Sequence, residues 1–347
     1  MIWIRADGNS DIGTGHLMRC LAVARQLQKF GAQVRFLVAG KEAGAFLQKR
    51  GQSFHVLHSD YRRMEEELHL LNPLLERERP ALVLIDSYFV TKDYLKTLGR
   101  YAKTAYIDDR CLFSYPVDMV INYNIYASTK EYAETGSGVQ PAFLMGPLYA
   151  PLREEFRGVD YEVRKEPEHV LITTGGSDKY NLSGRILQEA LGQEGINRLH
   201  YHVISGAFNK NLPYLEELCE NRENVHIHRD VTRMAGLMKE CDIAVTAGGS
   251  TMYELCAVGL PIICFSFVDN QERIVETFAR QGLVCYGGDY LKEKEKLIIN
   301  VLQWLEKLAW DSKARKVFCE RERKLVDGLG AERIAEALLR LKKEGSL

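Results

Sequence analysis

The sequence predicts an α/β protein built from two Rossmann-like domains with a cleft between them. Short apolar segments alternate with segments of helical periodicity, the β-α-β rhythm of a doubly wound parallel sheet. The rhythm breaks once, near residue 146, and then restarts. Glycine clusters follow apolar segments in both halves, and open α/β sheets bind their ligands at those strand ends. We therefore expect both halves to direct glycine loops toward the cleft.

The N-terminal domain is predicted to span residues 1–150. Its first strand is IWIRA, at residues 2–6, and an amphipathic helix follows over residues 15–31. A second, shorter helix is expected to begin at Phe46. The later strands are predicted at residues 34–40, 81–87, 104–109 and 119–124.

The C-terminal domain is predicted to span residues 163–347, after a linker over residues 151–162 that is rich in charge and lacks periodicity. The chain from Glu293 onward is expected to be helical. Strands are predicted at residues 169–178, 199–206, 224–230, 242–250 and 261–267, and helices at residues 183–192, 234–241 and 251–259.

Composition excludes several classes of protein. The chain has 347 residues, of which 46% are hydrophobic and 27% charged, a globular profile with room for two domains. A net charge of -1 gives no basic excess for nucleic acid, and no apolar run is long enough to span a membrane. With no secretory signal and eight scattered cysteines, we expect a cytoplasmic protein with reduced thiols.

No metal site or cofactor is expected. The cysteines form no C-x-x-C pair, and the alternating histidines of the strands LHYHVIS and NVHIHRD lack a converging carboxylate. The loop GTGHLM has no third glycine, and no acidic residue ends the second strand, which argues against NAD. A Walker A loop is absent.

Two loops of the C-terminal domain could bind a diphosphate. Gly175 and Gly176 lie between a strand and a helix, where backbone N–H groups can approach an anion; a tight turn without a ligand is the alternative. Between a later strand and helix, the backbone and hydroxyls of residues 249–251 offer a similar cradle. Glu254, one turn into that helix, could hold ribose hydroxyls or act in a capping box. The residues of this second cradle are Gly249, Ser250 and Thr251.

The segment AGGSTMYELCAVGLP resembles the donor half of two-domain glycosyltransferases of the GT-B fold, and it is similar to the MurG type. That resemblance implies a UDP ligand whose ribose is held by Glu254. It also implies that the backbone around Met234 pairs with uracil, and that Asn270 and Gln271 contact the sugar or phosphate.

The segment RADGNSDIGTGHLMRC, at residues 5–20, resembles the opening of the PseG/SpsG-like hydrolases of UDP-2,4-diacetamido-2,4,6-trideoxy-β-L-altropyranose, enzymes of pseudaminic acid biosynthesis. The resemblance covers nearly the whole chain; the tail after about residue 290 departs from it. Further matching segments are residues 85–88, 106–110, 121–124, 146–156, 173–178, 247–254 and 269–271.

This resemblance implies metal-independent hydrolysis, in which water attacks the anomeric carbon and UDP leaves. His16 would be the general base, with Asp7 orienting its ring and with Tyr88 and Asn270 binding sugar or water. The partial positive charge of a helix N-terminus disfavours imidazolium, so a neutral His16 could take a proton. The glycines that turn the chain ahead of His16, and are assigned to the substrate site, are Gly13 and Gly15.

Simpler roles stay open for these residues. His16 could bond a phosphate or a carbonyl, Tyr88 could pack on the surface, and Asn270 could form an Asx-turn. Asp86 could bind backbone N–H groups at the end of its strand, and Asp108 and Asp109 could stabilise a loop with Arg110. At the level of the whole chain, a MurG-like glycosyltransferase and a non-catalytic nucleotide-sugar-binding protein are the alternatives.

Overall fold

The computed structural model describes residues 1–133, 141–206 and 209–344, without the side chains of residues 133, 269, 270 and 344. The chain divides into two compact units. The first comprises Met1–Arg153 together with Leu329–Leu347, and the second comprises Glu154–Gly328. Each unit is a parallel sheet with helices, as the sequence predicts.

The first sheet has the strand order β3-β2-β1-β4-β5-β6-β7, and the second has the order β10-β9-β8-β11-β12-β13. Every strand pair is parallel. The chain reverses its direction of winding between β1 and β4 in the first sheet and between β8 and β11 in the second, which is where such sheets bind ligands. The strands are β1 (Ile2–Ala6), β2 (Val34–Val38), β3 (Phe54–Val56), β4 (Leu82–Asp86), β5 (Lys103–Ile107), β6 (Met119–Asn122), β7 (Ala142–Met145), β8 (His169–Thr173), β9 (His200–Ser205), β10 (Val225–Arg229), β11 (Ile243–Ala247), β12 (Ile262–Ser266) and β13 (Cys285–Asp289).

Helices connect the strands and cover the sheets. The face of α1 predicted to be apolar is buried. No helix among the described residues is long and apolar enough to cross a membrane. The helices are α1 (Gly15–Lys29), α2 (Lys41–Gln48), α3 (Leu68–Glu78), α4 (Lys92–Gly99), α5 (Thr129–Ala133), α6 (Leu182–Gly192), α7 (Leu212–Cys219), α8 (Met234–Glu240), α9 (Thr251–Val258), α10 (Asp269–Arg280), α11 (Lys294–Trp310), α12 (Ser312–Leu325) and α13 (Gly330–Glu344).

The structure corrects the expected start of one helix and the expected domain of another. Helix α2 begins at Lys41, so Phe46 lies near its end rather than at its start. Helix α13 belongs to the first unit, although the prediction placed residues 163–347 together in the second domain. The physical reason is that α13 packs against α1 and β5, burying apolar side chains such as Ile334 and Leu338.

Candidate active site

The loop after β1 is held in shape by its own hydrogen bonds. Asn9 and Gly13 exchange backbone hydrogen bonds of 3.2 and 2.9 Å, and the Asn9 side chain accepts from the N–H groups of Asp11 and Ile12. Gly13 has φ +71°, a left-handed conformation that strongly favours glycine. Gly15, by contrast, opens α1 without positive φ, and a Cβ there would meet no atom within 4 Å.

His16 lies in the first turn of α1, beside the end of β4. Strands β1 and β4 are neighbours, with Ala6 paired to Asp86 in their register. The Nδ1 atom of His16 is 2.7 Å from Oδ1 of Asp86, and both residues are buried. His16 therefore stands at the point where the first sheet reverses its winding, bonded to a carboxylate at the end of a central strand.

Arg19, one helical turn after His16, forms hydrogen bonds with the same carboxylate. Its Nε and Nη2 atoms donate to the two oxygens of Asp86, both at 2.6 Å. Its Nη1 atom donates to Asp109 at 2.9 Å and to the hydroxyl of Tyr123 at 2.7 Å. Burial alone would raise the pKa of Asp86, but Arg19 and His16 outweigh it and hold that pKa below its usual range.

Tyr88 lies against His16, so the structure brings two of the predicted site residues together. Their ring centroids are 4.6 Å apart in an edge-to-face arrangement. The Tyr88 hydroxyl donates to Asp109 at 3.1 Å, and the Asn124 amide donates to the other Asp109 oxygen at 3.1 Å. Burial, followed by the charge of Asp109, raises the pKa of Tyr88, so its hydroxyl keeps its proton.

The carboxylate beside His16 is Asp86, and the expectation that Asp7 orients the ring is wrong. Asp7 forms an ion pair with Arg5 and accepts from the backbone N–H of Ala39 at 2.7 Å. The physical reason is strand geometry: Arg5 precedes Asp7 by two positions, the repeat that places side chains on one face of a strand. Asp86 bonds side chains rather than the backbone N–H groups proposed for it.

The two aspartates after β5 have different partners. Asp108 accepts from the N–H groups of Arg110 and Cys111 at 3.0 and 2.8 Å, as expected of a loop-stabilising carboxylate. Asp109 instead binds Arg19 and Tyr88. Sequence reasoning missed Asp109 and Arg19 as parts of the site. For Arg19 a signal existed, because residues three apart share a helix face and Arg19 is the third residue after His16.

The glycine loop after β8 is built differently from the expected anion cradle. Gly175 has φ +88°, and both it and Gly176 are exposed. The carboxylate of Asp178, however, accepts from the N–H groups of Leu182 and Ser183 at 2.7 and 3.1 Å, at the start of α6. The N-terminus of α6 is therefore already bound by a carboxylate from its own chain.

In the loop after β11, the residue at the N-cap of the next helix is Ser250, and its side chain does not cap that helix. Gly248 packs closely, since a Cβ there would lie 2.6 Å from Cγ1 of Val275. Ser250, directly before α9, is exposed, and its side chain makes no capping hydrogen bond. Thr251 and Glu254 in the first turn are partly exposed. The start of α9 can therefore receive an anion.

The other predicted nucleotide-binding residues lie at helix starts in the second unit. Met234 is the first residue of α8 and is partly exposed. Gln271 is in the first turn of α10, where its side-chain oxygen accepts from the N–H of Phe267 at 3.1 Å. Asn270 also belongs to the first turn of α10, but its side chain is outside the part of the chain that the structure describes.

Five histidines form a chain of contacts across β8, β9 and β10. Nδ1 of His169 is 2.9 Å from Nε2 of His202, whose Nδ1 is 2.9 Å from Nε2 of His228. The rings of His200 and His226 lie parallel, 5.8 Å apart. His169 and His200 begin their strands, whereas His228 is level with Ile204 near the carboxyl end of the sheet, so this histidine array runs along the strands.

The fold and these loops define the class of the protein. Residues 169–328 match the model of the glycosyltransferase family 28 C-terminal domain. The crystal structure of MurG from Acinetobacter baumannii superimposes with a TM-score of 0.68 at 14% identity, covering 98% of this chain and 99% of that one. The chain thus has the GT-B fold, with two Rossmann-like domains.

Proteins related by sequence indicate a narrower group than the fold does. The spore coat polysaccharide biosynthesis protein SpsG of Bacillus subtilis is 25% identical over 97% of both chains. The UDP-2,4-diacetamido-2,4,6-trideoxy-β-L-altropyranose hydrolase of Campylobacter jejuni is 26% identical over 81% of this chain and 97% of its own. An uncharacterized protein of Methanocaldococcus jannaschii is 25% identical over 87% of this chain, which spans only 60% of that longer protein. The resemblance to the PseG/SpsG-like hydrolases is therefore confirmed.

Proposed function

We propose that this protein is an enzyme acting on a UDP-sugar, and that it hydrolyses UDP-2,4-diacetamido-2,4,6-trideoxy-β-L-altropyranose to the free sugar and UDP. The observation that carries the proposal is His16, buried against Asp86 through Nδ1 at 2.7 Å. A relative of 26% identity named for this hydrolysis supports the substrate. The product would feed the synthesis of pseudaminic or a related nonulosonic acid.

In the proposed reaction His16 is the general base. Its Nε2 atom has no hydrogen-bond partner among the described residues, yet it is not sealed from solvent. Water bonded to Nε2 attacks the anomeric carbon and gives up a proton to the ring. The bond from the anomeric carbon to the diphosphate oxygen breaks, and its electron pair leaves with UDP. Because UDP is a good leaving group, no second carboxyl is needed as an acid.

The second unit binds the nucleotide in this proposal. The start of α9, where the Ser250 side chain makes no capping hydrogen bond, supplies the N–H groups of Ser250 and Thr251 for the diphosphate. Glu254 holds the ribose hydroxyls, and the backbone at Met234 pairs with uracil. Gly249 lets the chain approach the diphosphate closely.

Tyr88, Asn270 and Gln271 are each assigned a further contact with the substrate. The Tyr88 hydroxyl hydrogen-bonds the sugar or the attacking water through its oxygen, which can accept while its proton is donated to Asp109. Asn270 holds an acetamido or hydroxyl group of the sugar, and Gln271 contacts the sugar or phosphate. No metal is assigned a role, because backbone N–H groups at the helix N-terminus stabilise the negative charge of the diphosphate in this proposal.

The test is UDP release from the candidate substrate with no acceptor and no added divalent metal, followed by NMR of the anomeric carbon in labelled water. His16→Asn should lower kcat about 100- to 10,000-fold, since Asn cannot accept the proton. His55→Asn is the matched control, because His55 is an exposed histidine of β3 in the same unit. Wild-type turnover by His16→Asn would mean that His16 is not the base.

The same assay separates the alternatives. UDP release that appears only with an added acceptor would instead favour a glycosyltransferase, the activity suggested by the family 28 match. Tight UDP binding with no turnover of any diacetamido sugar would point to a binding protein.

A further inference from the structure

We propose that Asp86 and Arg19 are positioning residues that fix His16 with its proton on Nδ1, and that Arg19 places Tyr88 through Asp109. The inference rests on the proposed hydrolase function, in which Nε2 must be free to accept a proton. Asp86, Arg19 and Asp109 do not need to touch the substrate for this role. The evidence is the geometry of one buried cluster in the first unit.

The contacts of Asp86 determine which ring nitrogen carries the proton. Oδ1 of Asp86 receives both His16 Nδ1, at 2.7 Å, and Arg19 Nη2, at 2.6 Å. The 3.1 Å between Nη2 and Nδ1 is then the spacing of two donors that share one acceptor. Because arginine donates only, an ionised Asp86 leaves Nδ1–H as the donor and Nε2 as the lone-pair nitrogen.

Arg19 stabilises the buried carboxylate of Asp86. A carboxylate with no exposed surface is costly unless it is paired and hydrogen-bonded. Two of the donors to Asp86 come from Arg19, and Cys20 adds a longer contact of 3.4 Å from its sulfur. Without the guanidinium, only His16 Nδ1 and the Cys20 thiol would remain as side-chain donors to Asp86 among the described residues.

The charge of the cluster also suits a base. Arg19 is one cation shared between two carboxylates, Asp86 and Asp109. With a neutral His16 ring the cluster carries one net negative charge, and it becomes neutral when Nε2 takes a proton from water. The excess carboxylate charge therefore stabilises the imidazolium formed during the reaction, as in Asp–His pairs of other hydrolases.

Arg19 also connects the ring to Tyr88. Its Nη1 atom donates to Asp109 at 2.9 Å, and the same oxygen accepts from the Tyr88 hydroxyl at 3.1 Å. One guanidinium thus fixes the partners of both His16 and Tyr88. The Tyr123 hydroxyl accepts from the same Nη1 atom at 2.7 Å and helps to hold the fork in place.

The decisive experiment compares Asp86→Asn with wild type by two readouts. Arg19 donates to both oxygens of Asp86, and asparagine replaces one of them with an NH2 donor; where that NH2 group faces His16, the Nδ1–H form loses its partner. In ¹⁵N-histidine NMR of the substrate-free protein, wild type should show the Nδ1–H tautomer, and Asp86→Asn should shift to Nε2–H. In turnover, kcat should fall about 100- to 10,000-fold with little change in KM.

A second variant guards against misfolding of the first. Arg19→Met should lower kcat and alter the ¹⁵N signals of the His16 ring, because it removes the donors that hold Asp86 and Asp109 in place. Glu67→Gln is the matched control: Glu67 is a fully buried carboxylate bonded to Arg5, and it does not contact His16. It should leave the tautomer unchanged.

The outcomes separate this inference from the proposed function. An Nε2–H tautomer in wild type, or an Asp86→Asn protein that keeps both tautomer and kcat, would overturn the positioning role. If no UDP-sugar is hydrolysed, the tautomer readout alone decides the matter. If hydrolysis is present and Asp86→Asn is harmless, the function stands and the positioning role fails.

Discussion

At the scale of single residues, the site combines positions that sequence reasoning could and could not find. His16 and Tyr88 were predicted because each follows a strand in a recognisable segment, and they are in contact. The pairing of His16 with Asp86 spans 70 positions of the sequence. It depends on β1 and β4 being neighbours in the sheet. The spatial order of strands in a sheet cannot be predicted from their order along the sequence.

Tyr88→Phe tests whether the hydroxyl acts on the substrate. The ring would keep its edge-to-face contact with His16 and lose only the oxygen that bonds Asp109. We expect kcat to fall about 10- to 100-fold, the worth of one hydrogen bond to a charged partner. Steady-state kinetics on the same UDP-sugar, with His16→Asn as reference, measures it.

The pH profile adds a check on Tyr88. Because burial and Asp109 raise its pKa, the hydroxyl stays protonated as the medium becomes alkaline. Wild type should therefore show no loss of kcat from Tyr88 ionisation below about pH 10. An alkaline limb near neutral pH that vanishes in Tyr88→Phe would contradict a Tyr88 hydroxyl that stays protonated.

At the scale of elements, prediction succeeded where apolar runs were continuous. The central strands β4 and β11 are buried on both faces and read as near-continuous apolar runs. Strand β3 has three residues, and β13, with the sequence CYGGD, contains two glycines, so neither gives a periodic signal. The start of α2 was misplaced because no side-chain cap marks it; Gly40 stands at its N-cap.

The histidine array makes the second sheet sensitive to acid. Burial, followed by the neighbouring His228 and His169, lowers the pKa of His202 to about 4. Burial likewise lowers the pKa of His169 and of His228. The folded state therefore favours neutral rings, while the unfolded chain takes up protons below about pH 6.5. The contribution of these histidines to the unfolding free energy is fully present above that pH and is lost as the pH falls toward 4.

His202→Gln should weaken this pH dependence. Glutamine does not titrate, so the drop in unfolding free energy between pH 7 and pH 4.5 should shrink by about 2 kcal/mol. Urea denaturation at the two pH values measures it. His58→Gln, at an exposed histidine of the first unit, should leave the drop unchanged. An equal drop in His202→Gln and wild type would show that the array does not carry the effect.

At the scale of the whole molecule, the two-unit division follows the predicted break in rhythm, apart from the last helix. The tail was predicted to be helical, and α11, α12 and α13 confirm it. Its assignment to a unit could not be predicted, because an amphipathic helix shows which face is buried but not which surface covers that face. Helix α13 returns to the first unit and packs on α1.

Leu338→Ala tests where α13 contributes stability. Leu338 is fully buried, so its truncation should cost about 2–5 kcal/mol. Because α13 belongs to the first unit, the loss of hydrogen-exchange protection should appear in β1, β4 and α1, while β8 and β11 keep theirs. Leu215→Ala is the matched control: Leu215 is equally buried in α7 of the second unit, and its truncation should produce the reverse pattern. Loss of protection in β8 and β11 on Leu338→Ala would show that α13 stabilises the second unit, and it would contradict the assignment of this helix to the first.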